Sequence, residues 1–349
     1  MRSNWDWFLF SSILAVGAIS LLVIYSVDKN LAASQFIFWI IGLAILYFFS
    51  QTNFHFWQKF SFVFYLLAIL SLIILVVVAE PVRGSTRWIS LGVFRFQPSE
   101  IAKVASIIAL ATFYKNKSAE SLKNFFFSSL IVMPLIILVL IQPDIGNAII
   151  FISIWIGVSL VSGLRIKHLI TFAILVVILA TSSFEILAPY QKERLVSFIS
   201  PGKDPLGSDY HIIQSKIAIG SGQFFGRGLG RGSQSQLRFL PEAESDFIFA
   251  SISEQLGFLI AGLVIIIYAN IILKIVSIAK DTDKFGQFLI AGSASFLLAQ
   301  FFINVGMNMG IVPATGITLP LISYGGSSLL STLLLLGIIF SIRRNSNFH

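Results

Sequence analysis

Uncharged apolar runs of about 20 residues recur along the chain, and this is the length that an α-helix needs to cross a bilayer. Two of them are "FVFYLLAILSLIILVVVA" at 62–79 and "FFFSSLIVMPLIILVLI" at 125–141. Only 11% of the residues are charged, whereas an ordinary soluble domain has about 25%. We therefore predict an all-α polytopic membrane protein, because soluble folds rarely use several uncharged helices of this length.

Apolar length and loop charge together predict ten spans and their orientation. One set of ends and short loops holds twelve basic residues and the other set holds four. The positive-inside rule puts the richer set, with both termini, in the cytoplasm. Residues 185–246 then form a large outer loop between spans 7 and 8 of one membrane domain, 1–349. The predicted spans are 8–27, 34–50, 60–79, 99–114, 125–142, 146–162, 168–184, 247–273, 285–305 and 325–342.

The absence of cysteine excludes disulfides, thiolate metal sites and cysteine nucleophiles. The four histidines, at positions 55, 168, 211 and 349, are scattered, and no two have the spacing of metal ligands. These features argue against a zinc enzyme, and no residue is predicted to ligate a metal.

Arginine is concentrated on the outer side, where membrane insertion does not require it. Three of the four basic residues in short outer loops are Arg83, Arg87 and Arg95, all within "PVRGSTRWISLGVFRFQPSE" (81–100). Arginine binds phosphate through a planar fork of donors. The pattern favours an anionic lipid head group as ligand, rather than a nucleic acid, and a solvated loop face is the alternative.

The large outer loop contains a glycine-rich stretch, "GQFFGRGLGRG" (222–232). It lacks the GK[ST] of a Walker loop and the strand context of a dinucleotide-binding fingerprint. We predict a flexible loop here, whose backbone amides could contact phosphate together with Arg227 and Arg231.

Ionisable residues at membrane depth are costly and indicate function. In "QPSEIAKVASIIAL" (97–110), Pro98 suits a first helical turn, and Glu100 and Lys103 lie on one helix face, where they can pair. They line a polar cavity or, alternatively, hold this helix against its neighbours. In "IQPDIGNAII" (141–150), we expect Asp144 to cap the next helix.

The stretch "GMNMGIVPATGITLPLISYGGSS" (306–328) cannot form a straight span, because it contains two prolines and several glycines. Irregular backbone at membrane depth is tolerated only inside protein or along a cavity. We predict a broken or re-entrant segment that lines one.

Acidic residues cluster in "LPEAESDFIFASISE" (240–254), where the large outer loop enters the eighth predicted span. Asp246 is the last acid before the apolar run and the closest of the outer ones to the membrane surface. The cluster predicts a general base at Asp246 or, alternatively, acids that cap the helix and neutralise basic loop residues.

One base is sufficient if the ligand is a lipid diphosphate. Diphosphate leaves readily once cations neutralise it, so only the acceptor hydroxyl needs activation, whereas glycosidases typically need two carboxylates. A positioned base supplies a rate factor of roughly 10²–10⁴. Orientation and cations at the developing charge must supply the rest.

The motifs "GSTRWISLGVFRFQPSEIAKVA", "QPDIGNA", "YQKERLVSFISP", "FLPEAESDFIFASISEQLG" and "GMNMGIVPATGITLPLISYGGSS" resemble, in order and spacing, those of the SEDS family (shape, elongation, division and sporulation). The similarity runs almost from end to end. The resemblance implies ten spans and a peptidoglycan glycosyltransferase that polymerises lipid II on the outer face of the bacterial cytoplasmic membrane. It also implies a class B penicillin-binding protein as partner.

The resemblance assigns roles to residues that match the motifs. It implies that Asp246 is the catalytic base and that the other matched positions bind substrate. That second set is Arg87, Trp88, Glu100, Lys103, Arg194, Glu242 and Ser327. A divalent cation such as Mg²⁺ is an optional helper at the diphosphate. Three residues depart from the family pattern, Glu244 and Ser245 as a pair and Asn147.

Short tails and a compact first outer loop favour the elongation type, RodA, over the division type, FtsW. Other hypotheses remain open on the sequence. They are a transporter that flips the lipid-linked precursor, a scaffold that only docks a transpeptidase, and a polymerase of the O-antigen class.

Overall fold

The computed structural model describes residues 5–78, 87–91, 94–172, 174 and 210–345. Within these ranges, nine of the ten predicted spans correspond to helices that begin and end within a few residues of the expected bounds, except that the eighth continues to Ile278. Of the seventh span, 168–184, only residues 168–172 and 174 are described, and they are helical. The corresponding helices are α1 (Trp7–Val27), α2 (Lys29–Ser50), α4 (Ser61–Val78), α5 (Pro98–Tyr114), α6 (Leu122–Ile141), α7 (Ile145–Val161), α10 (Ile248–Ile278), α11 (Lys284–Met309) and α12 (Gly326–Asn345).

Six helices of the described part are long and apolar enough to cross a membrane, and α4 and α7 are shorter apolar helices. The outer helices expose apolar side chains to the surroundings, for instance Phe62 and Val77 of α4. By contrast, α5 is buried around almost its whole circumference. This inverted pattern is typical of a bundle immersed in lipid, so the predicted all-α polytopic fold is confirmed.

Local sequence explains where several helices begin. The side chain of Asp6 accepts a hydrogen bond from Leu9 N at the start of α1, and Asp283 accepts one from Gly286 N at the start of α11. Asp28 ends α1 and caps α2. Pro98 occupies the first turn of α5, where its missing N–H is no loss.

The buried helices form the centre of the bundle. The α5 helix packs against α4, α7 and α11, while α12 packs chiefly against α2. A short helix α3 (His55–Lys59) precedes α4. The predicted site residues Asp246, Glu100 and Arg87 lie at or near the ends of helices that are predicted to face outside, which are the ends of α5, α7, α10, α11 and α12.

A two-stranded hairpin precedes α5 within the predicted loop 81–100. Strand β1 (Ile89–Leu91) pairs antiparallel with β2 (Phe94–Phe96), and Ser90 lies opposite Arg95. The alternation of apolar and polar residues in "ISL" and "FRF" is a strand signal, which the prediction of a plain loop overlooked.

The described part of the large outer loop is folded onto α10. It contains α8 (Tyr210–Ser221) and the one-turn helix α9 (Ser233–Gln236). The glycine-rich stretch between them is a loop, as predicted, but its backbone is hydrogen-bonded to α10 instead of being free. Arg227 N donates to Glu254 O at 2.9 Å, and Gly228 N donates to Gln255 O at 3.0 Å.

Candidate functional site

Asp246 lies at the entrance of α10 and is partly exposed. Its backbone is held by α11, since the side-chain amides of Asn304 and Asn308 donate to Asp246 O at 2.9 and 3.0 Å. Asn308 Oδ1 also accepts from Ala250 N at 3.0 Å. Two asparagines one helical turn apart therefore fix the position of the aspartate relative to the bundle.

The segment between α11 and α12 packs over the residues before Asp246. It begins at Gly310, which ends α11 in the left-handed conformation, and it continues to Gly326 without helix. Tyr324 N donates to Glu244 O at 2.8 Å, and Ser323 Oγ donates to Ser245 O at 2.6 Å. The expected broken segment is confirmed, and it forms one wall of the site.

Gly316 in this segment lies directly against the Asp246 carboxylate. A Cβ atom at Gly316 would stand 3.2 Å from Asp246 Oδ2, and its φ of +71° favours glycine. A side chain at this position would therefore crowd the Asp246 carboxylate, which would have to move by a few tenths of an ångström.

Glu100 and Lys103 form the ion pair that their spacing predicts. Lys103 Nζ lies 2.8 Å from Glu100 Oε1, and the two residues are 0% and 3% exposed. Lys103 Nζ also donates to Asn147 Oδ1 at 3.2 Å, and Ser331 Oγ of α12 donates to Glu100 Oε2 at 3.4 Å. The pair connects α5, α7 and α12, so the alternative structural role has direct support.

Asp144 caps α7 as predicted and also balances an outer arginine. Its Oδ1 accepts from Asn147 N at 3.2 Å, and its Oδ2 lies 3.7 Å from Arg87 Nε. Arg87 additionally donates through Nη2 to Pro143 O. Burial of Asp144 and partial burial of Arg87 make this an arginine fixed in place rather than one on a solvated loop face.

A cavity of about 720 Å³ runs from Arg87 along α7. Its lining comes from α7 between Ile145 and Leu160, from α11 between Ser295 and Ile303, and from residues 312–315. At 1.5 Å per residue the α7 part is about 22 Å long. The walls are apolar except near Arg87 and a few hydroxyls. Thr315 lines the cavity beside Gly146, at the end where Arg87 lies, and the next residue, Gly316, lies against the Asp246 carboxylate, so Asp246 lies next to this end of the cavity.

The remaining predicted residues are placed less centrally. Ser327 is 3% exposed, and its hydroxyl accepts from Gln97 N and donates to Arg95 O, each at 3.0 Å. In this structure it ties the hairpin to α12. Trp88 is 37% exposed, Glu242 is exposed and its Oε2 accepts from Ser245 Oγ at 3.1 Å, and Arg194 lies outside the described residues.

Glu244, which departs from the family pattern, is half-buried beside other charges. Burial raises the pKa of its carboxyl, and the nearby Glu242 and Asp28 raise it further, while its own backbone amide and Arg238 oppose the change. Burial likewise raises the pKa of Tyr324, whose backbone N–H holds Glu244 in place. The approach to Asp246 therefore contains a carboxyl that is more readily protonated than usual.

No group of three or more histidine, aspartate or glutamate side chains with the arrangement of a metal site occurs among the described residues. The predicted role of a divalent cation stays a hypothesis, in which the cation would be bound by the diphosphate of the substrate.

Sequence reasoning assigned no role at the site to three residues that the structure brings there, Asn147, Asn304 and Asn308. A signal was present, because amide side chains are rare in apolar spans and need partners there. Asn304 and Asn308 stand four residues apart at the end of α11, three residues beyond the predicted ninth span in the case of Asn308, and this spacing puts them on one helix face.

The fold and the site define a multi-pass membrane protein in which a broken segment closes over an aspartate at one end of a largely apolar cavity. The chain belongs to the SEDS family: the family model for FtsW, RodA and SpoVE, described as "Cell cycle protein", matches residues 6–348. The family predicted from the motifs is thereby confirmed.

Named relatives and a solved structure agree with this membership. The chain is 36% identical to stage V sporulation protein E of Bacillus subtilis, over 91% of the chain and 88% of the relative. It is also 36% identical to the peptidoglycan glycosyltransferase MrdB of Escherichia coli K12, over 86% and 82%. A solved chain from a peptidoglycan synthase complex, described as coordinating polymerization and crosslinking, matches with a TM-score of 0.87 at 26% identity over 99% of both chains.

Proposed function

We propose that this protein is a peptidoglycan glycosyltransferase that polymerises lipid II into glycan strands at the outer face of the bacterial cytoplasmic membrane. The observation that carries the proposal is the juxtaposition of the Asp246 carboxylate with the end of a cavity that Arg87 also borders. Relatives with this activity in their names support the reaction class.

Asp246 acts as the general base. Its carboxylate takes the proton from the acceptor sugar hydroxyl, whose oxygen forms a bond to the anomeric carbon of the donor. The bond from that carbon to the diphosphate oxygen breaks, and the lipid diphosphate leaves with the electron pair. Attack from the side opposite the leaving group inverts the configuration.

The cavity suits the lipid part of a donor. An apolar groove about 22 Å long matches an extended hydrocarbon chain, and Arg87 stands at the end where the diphosphate would lie. Arg87, with Arg194 from the outer loop, neutralises the leaving group, and a divalent cation such as Mg²⁺ could assist. The Glu100–Lys103 pair keeps the helix ends around this position in register.

The orientation follows from the charges of the loops. The proposal places both termini in the cytoplasm and the site outside, as the positive-inside rule predicts. The similarity to a chain from a peptidoglycan synthase complex supports a class B penicillin-binding protein as partner. Assignment to the elongation type, with a role in cell shape, stays a prediction beside the division type.

A flippase for the lipid-linked precursor is the second candidate, since it too would need a long apolar groove with a cation at its end. Only the polymerase requires a base beside the groove. A pure scaffold requires neither feature, and an O-antigen-type polymerase is disfavoured by the family membership.

Polymerisation of purified lipid II in detergent tests the proposal, because no transbilayer step exists there. The full-length protein should make glycan polymer, and Asp246→Asn should lower the rate at least a hundredfold with unchanged thermal stability. Asp281→Asn is the matched control, since Asp281 pairs with Arg343 on the predicted cytoplasmic side and should leave the rate unchanged. Equal polymer from wild type and Asp246→Asn would refute the assignment.

A further inference from the structure

One side-chain amide joins the two ion pairs of the site. Asn147 Oδ1 accepts from Lys103 Nζ at 3.2 Å, and Asn147 Nδ2 donates to Asp144 Oδ2 at 2.8 Å. Asn147 is 5% exposed, so water competes little for either bond. The result is a continuous polar chain from Glu100 through Lys103, Asn147 and Asp144 to Arg87.

The neighbours of Asn147 determine how its amide is oriented. A lysine ammonium can only donate and a carboxylate can only accept, so the oxygen faces Lys103 and the nitrogen faces Asp144. A leucine would satisfy neither neighbour, and an aspartate would put a second carboxylate against Asp144. The position needs a side chain that is donor and acceptor at once.

The same oxygen of Asp144, Oδ2, accepts the hydrogen bond from Asn147 and faces Arg87. Asp144 Oδ1 is used by the helix cap, whereas Oδ2 accepts from Asn147 Nδ2 and lies 3.7 Å from Arg87 Nε. Arg87 Nε makes no hydrogen bond within the part of the chain that the structure describes. The Arg87 guanidinium is therefore held at two points, by the hydrogen bond from Nη2 to Pro143 O and by the ion pair of Nε with Asp144 Oδ2, and the second point depends on the direction in which Oδ2 points.

We propose that Asn147 is a positioning residue that transmits the location of the buried Glu100–Lys103 pair, through Asp144, to Arg87. It thereby sets where the arginine meets the donor diphosphate. Asn147 does not line the cavity, so it acts on the donor only through Arg87. The inference rests on the proposed function, and it adds a role for a residue that departs from the family pattern.

The expected effect is sizeable because misplacement of a substrate-positioning group by about 1 Å can cost a factor of about 10². Asn147→Ala removes both of these hydrogen bonds, together with a longer one from Nδ2 to Ser99 Oγ at 3.4 Å, and allows Asp144 to turn away. We expect a loss of about tenfold in the kcat/KM for lipid II, and weaker binding of fluorescent lipid II to the purified full-length protein.

A double-mutant cycle separates positioning from stability. Wild type, Asn147→Ala, Arg87→Ala and the double variant are compared for polymerisation, for binding of fluorescent lipid II and for thermal unfolding. If Asn147 acts through Arg87, Asn147→Ala should weaken binding in wild type and add nothing in the Arg87→Ala background. Losses that add in full would overturn the inference, as would an Arg87→Ala protein that binds and polymerises normally.

Two further variants and a control sharpen the cycle. Asn147→Thr retains a hydroxyl that can donate to Asp144 and accept from Lys103, so it should recover most of the binding, whereas Asn147→Leu should behave like Asn147→Ala. Asn124→Ala removes an amide that bonds Ser118 O in the predicted cytoplasmic loop and should change nothing. Failure of the proposed function would show in a different experiment, as an Asp246→Asn protein that still polymerises lipid II.

Discussion

The position of Asp246 is fixed by hydrogen bonds to its own backbone carbonyl and by the backbone of Gly316 beside its carboxylate. Its carbonyl oxygen accepts from Asn304 and Asn308, and its carboxylate lies against the backbone of Gly316. A carboxylate positioned in this way can change its protonation state without losing the contacts that hold its backbone in place. This arrangement suits a base that must regain its charge after each turnover.

Gly316→Ala tests the close approach at the carboxylate. The added Cβ would stand 3.2 Å from Asp246 Oδ2 at a φ of +71°, and we expect about tenfold slower polymerisation from a shift of the base. The left-handed backbone should also cost about 1–2 kcal/mol of stability.

Gly230→Ala is the control for Gly316→Ala, because its φ is +72° but its Cβ would meet nothing within 4 Å. It should lose similar stability and retain full activity. Equal activities of the two variants would contradict the proposed contact with the base.

Glu244 gives a pH dependence of stability with a defined sign. Burial raises the pKa of this carboxyl above its ordinary value of 4.5, so the folded state binds the proton more tightly than the unfolded state does. Stability should therefore fall as pH rises from 4.5 through the raised pKa. Thermal unfolding should show Glu244→Gln to be more stable than wild type at pH 7, with the difference vanishing below the ordinary pKa.

Glu120→Gln should behave in the opposite way to Glu244→Gln. A hydrogen bond and the charge of Arg165 lower the pKa of the Glu120 carboxyl, so its replacement should not stabilise the protein at pH 7. A Glu244→Gln protein that is less stable than wild type at pH 7 would contradict the assigned burial.

At the scale of elements, the kink in α10 determines where the outer loop is attached. The helix breaks at Gly257, with φ +77° and ψ 179°. Phe258 N then donates to Gln223 O at 2.8 Å, and Leu259 N donates to Phe224 O at 3.2 Å. The glycine-rich stretch thus supplies partners for backbone groups that the kink frees, as a buried helix break requires.

Gly257→Ala should disrupt this junction. Its Cβ would lie 2.3 Å from Gly226 N and 2.5 Å from Phe224 O, and both contacts are backbone atoms that cannot move away cheaply. We expect a large loss of thermal stability and faster hydrogen exchange in residues 222–228. Activity should also fall, because Asp246 lies just before the start of the same helix.

Gly262→Ala, five residues further along α10, is the matched control for the kink. Its Cβ would meet nothing within 4 Å, so the variant should be neutral or slightly more stable. A Gly257→Ala protein as stable as Gly262→Ala would show that the kink does not hold the loop.

Prediction from sequence succeeded for elements with a local cause. The apolar runs give the helices, Asp144 and Pro98 give helix starts, and the three-residue spacing gives the Glu100–Lys103 pair. The docking of the glycine-rich stretch could not be predicted in this way, because its partners lie about 30 residues later in α10. The hydrogen bonds that join Asn147 to Lys103 and Ser327 to the hairpin were not predicted, because these partners also lie far apart in the chain.

At the scale of the whole molecule, the charge distribution predicts one orientation in the membrane. The chain has no native cysteine, so single cysteines can be labelled without background. In right-side-out vesicles, an impermeant maleimide should label Leu229→Cys at once and Lys280→Cys only after permeabilisation. The reverse pattern would place the site in the cytoplasm and contradict the proposed function.

The sequence by itself determined the class of fold and nine of the ten spans, and it predicts which acid is the base, because hydropathy, caps and motifs are properties of neighbouring residues. Only the tertiary structure decided that Gly316 lies against Asp246, that Arg87 borders an apolar cavity, and that Asn147 links two ion pairs. Gly316 and Asp246 are 70 positions apart, and Asn147 and Lys103 are 44 apart. The geometry of these contacts depends on how the helices pack, which local pattern does not encode.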